Sequence, residues 1–219
     1  MSSCGARRVH DTSTRPTVRR LTLHIENKMK QRLQENQLLH VSSPKEWRAW
    51  LKTNYRSINE VWLVYYKKHT GKPRISYNDA VEQALCFGWI DSTVRTLDGD
   101  RFAQRFSIRK PRSRYSQPNV ERLRALVEQR KVAKDVLPLL PDLSQDTFTV
   151  PTDILNVIKT NATAWKNFQH FSPPYIRIRV AFIDSARKRP TEFAKRLSHF
   201  VRMTEENKQF GFGGIDKHF

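Results

Sequence analysis

An uninterrupted apolar run, Val61 to Tyr66, limits the folds open to this chain. Its length and its β-branched and aromatic composition favour a β-strand inside a sheet rather than a helix. Two helix-start signals flank it. Ser43-Pro44-Lys45-Glu46 has the pattern of a capping box with proline at the first helical position, and Ser76 stands three residues before Asp79. The sequence therefore predicts a sheet packed against helices.

A β-hairpin is predicted immediately after the second of these helices, which should end near Gly88. Residues 93–97 and 101–109 flank Asp98-Gly99, a dipeptide typical of two-residue hairpin turns with positive φ. Apolar residues alternate with arginines along the second segment, although Gln104 interrupts the apolar face. This alternation predicts a hairpin with a basic outer face.

The rest of the chain is predicted to be helical. A helix capped by Ser116 or Asn119 should run to about Ala133, and three more should cover Pro151 to Thr160, start at Ser172-Pro173-Pro174, and start at Pro190. The fold class is therefore α+β, a small sheet with packed helices followed by an all-helical C-terminal unit.

Five regions follow from this pattern. We expect a disordered basic arm at 1–35, for which a transit peptide or a start assigned too early, with Met29 as the true start, are alternatives. The others are an α+β domain at 36–135, a linker at 136–150 punctuated by prolines, a helical module at 151–208 and a flexible tail at 209–219.

The charge indicates the class of partner. The chain has 40 Lys and Arg residues against 21 Asp and Glu, a formal net charge of +19. Such a field attracts anions, so nucleic acid or another polyanion, anionic lipid head groups and phosphorylated small molecules are candidate partners, and a protein partner is a further candidate.

The cysteines and the hydropathy favour a cytoplasmic location. Cys4 and Cys86 lie far apart in sequence, which argues against a disulfide framework. No apolar run approaches the roughly 18–20 residues that cross a bilayer, so we expect a chain that is neither secreted nor membrane-spanning.

Several motifs occur in an order that resembles the YdeI/OmpD-associated family. They are Trp50-Leu51, Val61-Trp62-Leu63, Lys67-Lys68-His69-Thr70-Gly71, and the segment from Tyr77 that ends in Ala84-Leu85-Cys86-Phe87-Gly88-Trp89-Ile90-Asp91. Ala186-Arg187 and Lys195-Arg196 fit the appended helical module of that family. Ile108 and Tyr115 depart from it, where a proline and a tryptophan are typical. The resemblance spans residues 43–208 and implies a role related to bacteriocin protection or to association with an outer-membrane protein.

Cys86, Trp89 and Asp91 are the candidate residues within the motif. Cys86 is either a nucleophile or a buried structural residue, and its place near a helix C-terminus disfavours a thiolate. Asp91 needs a donor, which Arg95, Arg105 or Arg109 could supply across the hairpin. The motif is therefore either a helix-to-hairpin corner or a polar pocket.

A second candidate site is the strongly basic segment 105–134, which has ten basic and two acidic residues. Guanidinium groups bind phosphate bidentately and aromatic rings stack on bases, so this segment predicts an anion-binding or nucleic-acid-binding surface. The alternative is a solvated face whose arginines pair with Asp91, Asp98 or Asp100. The candidate contacts are Arg105, Arg109, Lys110, Arg112, Arg114 and Tyr115.

Three functions are compatible with these observations. The first is a non-enzymatic cytoplasmic stress or defence accessory protein, which would protect indirectly because a charge of +19 repels cationic bacteriocins. The second is a basic nucleic-acid-binding module, and the third an enzyme acting on a small anionic substrate near Trp89 and Asp91. The histidines show no metal-ligand spacing and no nucleotide-binding motif occurs, so we expect no metal and no cofactor.

Overall fold

The computed structural model describes residues 37–110, 113–143 and 148–211. It contains a four-stranded sheet in the order β1-β2-β4-β3. The strands are β1 (Leu38–His40), β2 (Glu60–Tyr66), β3 (Trp89–Thr96) and β4 (Arg101–Ile108). The apolar run thus forms an interior strand, as predicted. The residues from Leu39 onward form one compact unit.

Seven α-helices occur in the described ranges, and the α+β fold class is confirmed. The first three contribute side chains to the hydrophobic cluster that packs against the sheet, and the last four form the C-terminal part. They are α1 (Pro44–Asn54), α2 (Tyr77–Leu85), α3 (Gln117–Glu128), α4 (Thr152–Lys159), α5 (Ala162–Phe168), α6 (Pro173–Asp184) and α7 (Pro190–Glu205). In the part of the chain that is described, no helix has both the length and the hydropathy required to cross a membrane.

Both predicted helix starts are confirmed. The Ser43 hydroxyl accepts a hydrogen bond from the Glu46 amide at 3.3 Å, and the Ser76 hydroxyl accepts one from the Asp79 amide at 3.1 Å. The Glu46 carboxylate reaches back one residue further than a capping box requires, to the Ser42 amide at 2.8 Å. These local bonds satisfy amides that a helix start leaves without partners.

The hairpin between β3 and β4 differs from its prediction in two respects. Four residues, 97–100, connect the strands instead of two, and Gly99 does not have positive φ. The Asp98 carboxylate accepts hydrogen bonds from the amides of Asp100 and Arg101, at 2.9 and 2.7 Å, and so closes the longer turn. The first strand also begins earlier, at Trp89 rather than Thr93.

Two helix predictions were wrong. The helix α3 ends at Glu128 rather than near Ala133, and Arg130 just beyond it has a φ of 55°. The C-terminal part has four helices rather than three, because Asn161 caps α5 by accepting a hydrogen bond from the Ala164 amide at 2.9 Å.

Two hydrophobic clusters stabilise the chain. The first lies between the sheet and its helices and includes Trp47, Leu63 and Phe106. The second lies among the C-terminal helices and includes Ile158 and Phe200. In the segment predicted as a linker, Val136, Leu140 and Leu143 pack against the first cluster. The predicted basic arm at 1–35 lies outside the described residues, as does most of the predicted tail, although Phe210 packs on the second cluster.

Candidate anion-binding cleft

A cleft of about 1060 Å³ opens where β3 begins, and the residues beneath it belong to the sequence motif. Gly88 has a φ of 71°, and a Cβ atom built on it would lie 3.5 Å from Val136. Its carbonyl accepts a hydrogen bond from the Arg109 amide at 3.0 Å, while the neighbouring Cys86 carbonyl accepts one from the Ala133 amide at 2.8 Å. Arg109 precedes α3 and Ala133 follows it, so the chain on each side of this helix is held beside residues 86–88.

Positive charge is concentrated at one part of the cleft, which we call the cationic rim and define as Arg109, Lys110, Arg114 and Tyr115. The Arg109 guanidinium lies 3.5 Å from the centre of the Tyr115 ring and donates a hydrogen bond to the Ser113 carbonyl at 2.6 Å. Lys110 and Arg114 are exposed, and their side chains form no hydrogen bond or ion pair with any residue that the structure describes. The rim therefore presents two cations available to a ligand beside a third that is held in place.

Another part of the lining is polar but internally paired. Asp135 accepts hydrogen bonds from the Tyr55 hydroxyl at 2.9 Å and from Arg56 Nη2 at 2.9 Å. Desolvation acts to raise the pKa of Asp135, but these hydrogen bonds outweigh it and hold the pKa below its usual value. The Asp135 carboxylate is therefore charged near neutral pH, and Arg56 offsets its charge.

A buried carboxylate joins the cleft to the C-terminal helices. Glu121 on α3 accepts hydrogen bonds from Gln117 at 2.7 Å and from Arg177 on α6 at 2.7 and 2.9 Å. It also pairs with Arg124, whose Nε donates to the Leu143 carbonyl at 3.4 Å. Burial acts to raise the Glu121 pKa, but the bonds from Arg177 and Gln117 lower it overall. Gln117 and Arg124 line the cleft and both contact Glu121. Arg177 therefore stabilises the cleft lining indirectly, through its bonds to Glu121.

Apolar side chains make up much of the remaining lining. Phe87, Trp89 and Val136 are buried, whereas Leu139 is 77% exposed and Ile108 is 42% exposed. The other apolar residues are Val120, Leu140, Pro141, Leu143 and Phe148. The cleft thus combines an apolar wall with a cationic rim.

The structure divides the residues that the sequence grouped as one basic surface. Arg109, Lys110, Arg114 and Tyr115 come together at the rim. Arg105 lies elsewhere, in an ion pair with Glu60, and donates from Nε to the Glu60 carboxylate at 3.0 Å. Arg112 lies outside the described residues.

The three candidate residues of the motif also lie in different environments. Cys86 is fully buried, and burial raises the pKa of its thiol, with hydrogen bonding to Arg48 acting in the opposite direction. Trp89 is buried beside the cleft, where its indole N–H donates to the Tyr55 carbonyl at 3.2 Å. Asp91 does not belong to the described lining of the cleft.

The prediction that an arginine across the hairpin binds Asp91 was wrong. Its carboxylate accepts hydrogen bonds from the Gln104 amide at 2.7 Å and from the Tyr77 hydroxyl at 3.0 Å. Burial, followed by the Asp91 charge, raises the pKa of Tyr77 to about 12. Gln104, which appeared to interrupt the apolar face of β4, is therefore a buried donor for this carboxylate.

Sequence reasoning missed the contribution of residues 135–143 to the cleft. Proline punctuation indicated a linker, yet Asp135, Leu139 and Leu143 line the cleft. The high density of leucines in this short segment could have indicated a packed segment, because solvated linkers contain few large apolar residues.

Two family models match separate parts of the chain. Residues 39–137 match a domain of unknown function, DUF8412, which contains the motif and most of the cleft lining. Residues 147–207 match the family described as "Bacteriocin-protection, YdeI or OmpD-Associated". No curated protein and no solved structure shows a significant match to the chain. The helical segment 147–207 is thus similar to the suspected YdeI/OmpD-associated family, whereas the motifs between Trp50 and Asp91 lie in the part that matches DUF8412.

Proposed function

We propose that this chain is a non-enzymatic cytoplasmic accessory protein in stress or defence, and that it acts by binding an anionic ligand at the cationic rim. The observation that carries the proposal is that Arg109, Lys110 and Arg114 line the same cleft, where Arg109 is stacked on Tyr115. Hydrogen bonds between a cation and an anionic oxygen are among the stronger ones in proteins, and stacking on Tyr115 restricts Arg109 before a ligand arrives.

The two groups considered for catalysis support binding rather than chemistry. A thiol acts as a nucleophile in its thiolate form, and burial of Cys86 favours the protonated form. The Asp91 carboxylate is already bound to Tyr77 and Gln104. Neither group is presented to a ligand at the cationic rim.

The defence role rests on the description of the matched family, which names bacteriocin protection. A net charge of +19 disfavours direct capture of a cationic peptide. Protection would therefore operate through an anionic ligand. The free, buried Cys86 is consistent with a reducing compartment such as the cytoplasm.

Isothermal titration calorimetry tests the binding proposal with acetate, inorganic phosphate, adenosine monophosphate and decanoate. We expect at least one of them to bind, and the double variant Lys110→Glu/Arg114→Glu to bind it at least about tenfold more weakly, since a charge-assisted hydrogen bond contributes about 1.5–3 kcal/mol.

The matched control is Lys166→Glu/Lys195→Glu, which changes the net charge equally at two exposed lysines on C-terminal helices that do not contribute to the cleft lining. It should retain affinity within about threefold, because solvent and salt screen distant exposed charges. If none of the four anions binds, or if both double variants lose affinity equally, the proposal is wrong.

Nucleic-acid binding is the second candidate function, and the stacked Arg109–Tyr115 pair beside two exposed cations is the observation that favours it. A base can stack on the guanidinium plane while the exposed cations contact phosphates. Gel-shift titration of single-stranded DNA and RNA would then show affinity that falls steeply with salt and that is lost in Lys110→Glu/Arg114→Glu. Equal weakening in the Lys166→Glu/Lys195→Glu control would instead indicate attraction by the net charge alone.

A further inference from the structure

The composition of the cleft narrows the class of ligand, on the condition that the proposed anion binding is correct. We infer that the ligand is an amphipathic organic anion, with its acidic head group at the cationic rim and an apolar body against the apolar wall. The apolar wall is the set Phe87, Val136, Leu139, Leu140, Leu143 and Phe148.

The size of the cleft is the first argument. A volume of about 1060 Å³ is comparable with the roughly 300–1,000 Å³ typical of organic ligand sites. A bare phosphate or acetate would contact the rim and leave the apolar wall in water. A ligand with an apolar body would remove that body and the apolar wall from water. Burial of this apolar surface is the larger source of binding free energy.

Charge complementarity is the second argument, and it locates the acidic head group at the cationic rim. Lys110 and Arg114 supply the cations that no described residue binds. Elsewhere in the lining, Arg56 pairs with Asp135 and Arg124 pairs with Glu121. The cationic rim is therefore the part of the lining where an acidic group of a ligand meets cations that no described residue binds.

Exposed apolar side chains are the third argument. Leu139 is 77% exposed although it borders the cleft, and Ile108 beside the rim is 42% exposed. Large apolar residues grouped next to exposed cations form an amphipathic surface, and such surfaces mark binding sites more often than scattered apolar residues do. An alkyl or aryl body adjoining one acidic group matches both halves of it.

Isothermal titration calorimetry with octanoate, decanoate and dodecanoate, all below their micelle concentrations, tests this inference. Each buried methylene contributes enough free energy for about a fourfold gain in affinity, so the affinity should rise on the order of tenfold for each pair of methylenes. The neutral alcohol 1-decanol and the small anion acetate should each bind at least about tenfold more weakly than decanoate, since each lacks one half of the ligand.

Leu139→Asp provides the site-specific variant, and Leu137→Asp is its control. Both leucines are exposed, so neither change disturbs the core, but only Leu139 lines the cleft. We expect Leu139→Asp to weaken decanoate binding at least about tenfold, through lost apolar contact and added repulsion, while Leu137→Asp stays within about threefold.

The outcomes separate the two proposals. If affinity depends on Lys110 and Arg114 but is the same for acetate, octanoate and dodecanoate, the anion site stands and the amphipathic ligand is wrong. If affinity rises with chain length but Leu139→Asp and Leu137→Asp bind alike, the apolar body lies elsewhere and the inference is also wrong. If the Lys110→Glu/Arg114→Glu variant binds every probe as the wild type does, the proposed function itself fails.

Discussion

Gly88 has a backbone conformation that other residues adopt only at a cost. Its φ is 71°, and an added Cβ atom would lie 3.5 Å from Val136. We expect Gly88→Ala to lower the free energy of unfolding by about 1–2 kcal/mol, the cost of placing an L side chain in the left-handed region. Urea denaturation followed by tryptophan fluorescence measures this difference.

Gly99 provides the matched control for that substitution. It lies in the hairpin turn without positive φ, and no heavy atom stands within 4 Å of the position that a Cβ atom would take there. Gly99→Ala should therefore change the free energy of unfolding by no more than about 0.5 kcal/mol. An equal loss in both variants would contradict a strained conformation at Gly88.

Cys86 should resist modification in the folded protein. It is fully buried and its thiol pKa is raised by burial, so both access and thiolate population are low. We expect iodoacetamide to label the Cys86 peptide slowly under native conditions and rapidly in denaturant, as followed by peptide mass spectrometry. Native labelling as fast as that of free cysteine in solution would show that Cys86 is accessible and restore it as a nucleophile.

Individual residues were predictable where their partners lie close in sequence. Ser43 and Ser76 cap helices because the amides they bind are three residues away. The partners of Asp91 were not predictable in this way, since Gln104 lies on a neighbouring strand and Tyr77 on a preceding helix. Arginine was the favoured partner on charge alone, but strand register brought an amide and a phenol to the carboxylate instead.

The contact between α3 and α6 should be a major stabilising element. Glu121 and Arg177 are both buried, and their side chains are 4% and 11% exposed. Removing one member of a buried pair leaves the other charge unpaired, which typically costs about 3–5 kcal/mol. Because Arg124 still pairs with Glu121, we expect Arg177→Ala to lose about 3 kcal/mol, measured by denaturant unfolding.

Arg187→Ala is the control for this variant, because it removes an exposed arginine that pairs with the partly exposed Asp153 and Asp184. Solvent screens both ion pairs, so we expect a much smaller loss of stability. A loss as large as that of Arg177→Ala would contradict the importance of burial at the α3–α6 contact.

The same contact predicts a pH dependence with a defined sign. The folded-state pKa of Glu121 lies below its usual value, because bonds from Arg177 and Gln117 outweigh the effect of burial. The stabilisation is therefore fully present above the unfolded-state pKa of about 4.3 and is lost as the pH falls through the lower folded-state pKa. The difference between wild type and Arg177→Ala should be constant from neutral pH to about pH 5 and shrink in stronger acid. A difference that grew on acidification would contradict this sign.

Element types were easier to predict than element ends. An uninterrupted apolar run located β2, and helix-start signals located α2 and α6. The end of α3 at Glu128 and the separate helix α5 were missed. Both depend on short backbone arrangements, a positive φ at Arg130 and the cap at Asn161, which weak local propensities specify poorly.

The cleft is a property of the whole chain rather than of one motif. Its lining combines the start of β3, the segment after β4, the beginning of α3 and residues 135–143. The sequence grouped Arg105 with the rim because both are basic, but strand pairing places Arg105 beside Glu60. Composition predicted an anionic partner, whereas the candidate site for it required the tertiary structure.

A site-specific NMR titration tests the central claim most directly, because the chain has five tryptophans and Trp89 lies beside the cleft. Its indole N–H donates to the carbonyl of Tyr55, another lining residue, whereas Trp165 packs on the C-terminal cluster. Adding decanoate to ¹⁵N-labelled protein should shift the Trp89 indole resonance to saturation and leave that of Trp165 unchanged. The shift should disappear in Lys110→Glu/Arg114→Glu. A Trp89 resonance that stays fixed while decanoate binds, or one that shifts equally in the double variant, would contradict anion binding at the cationic rim.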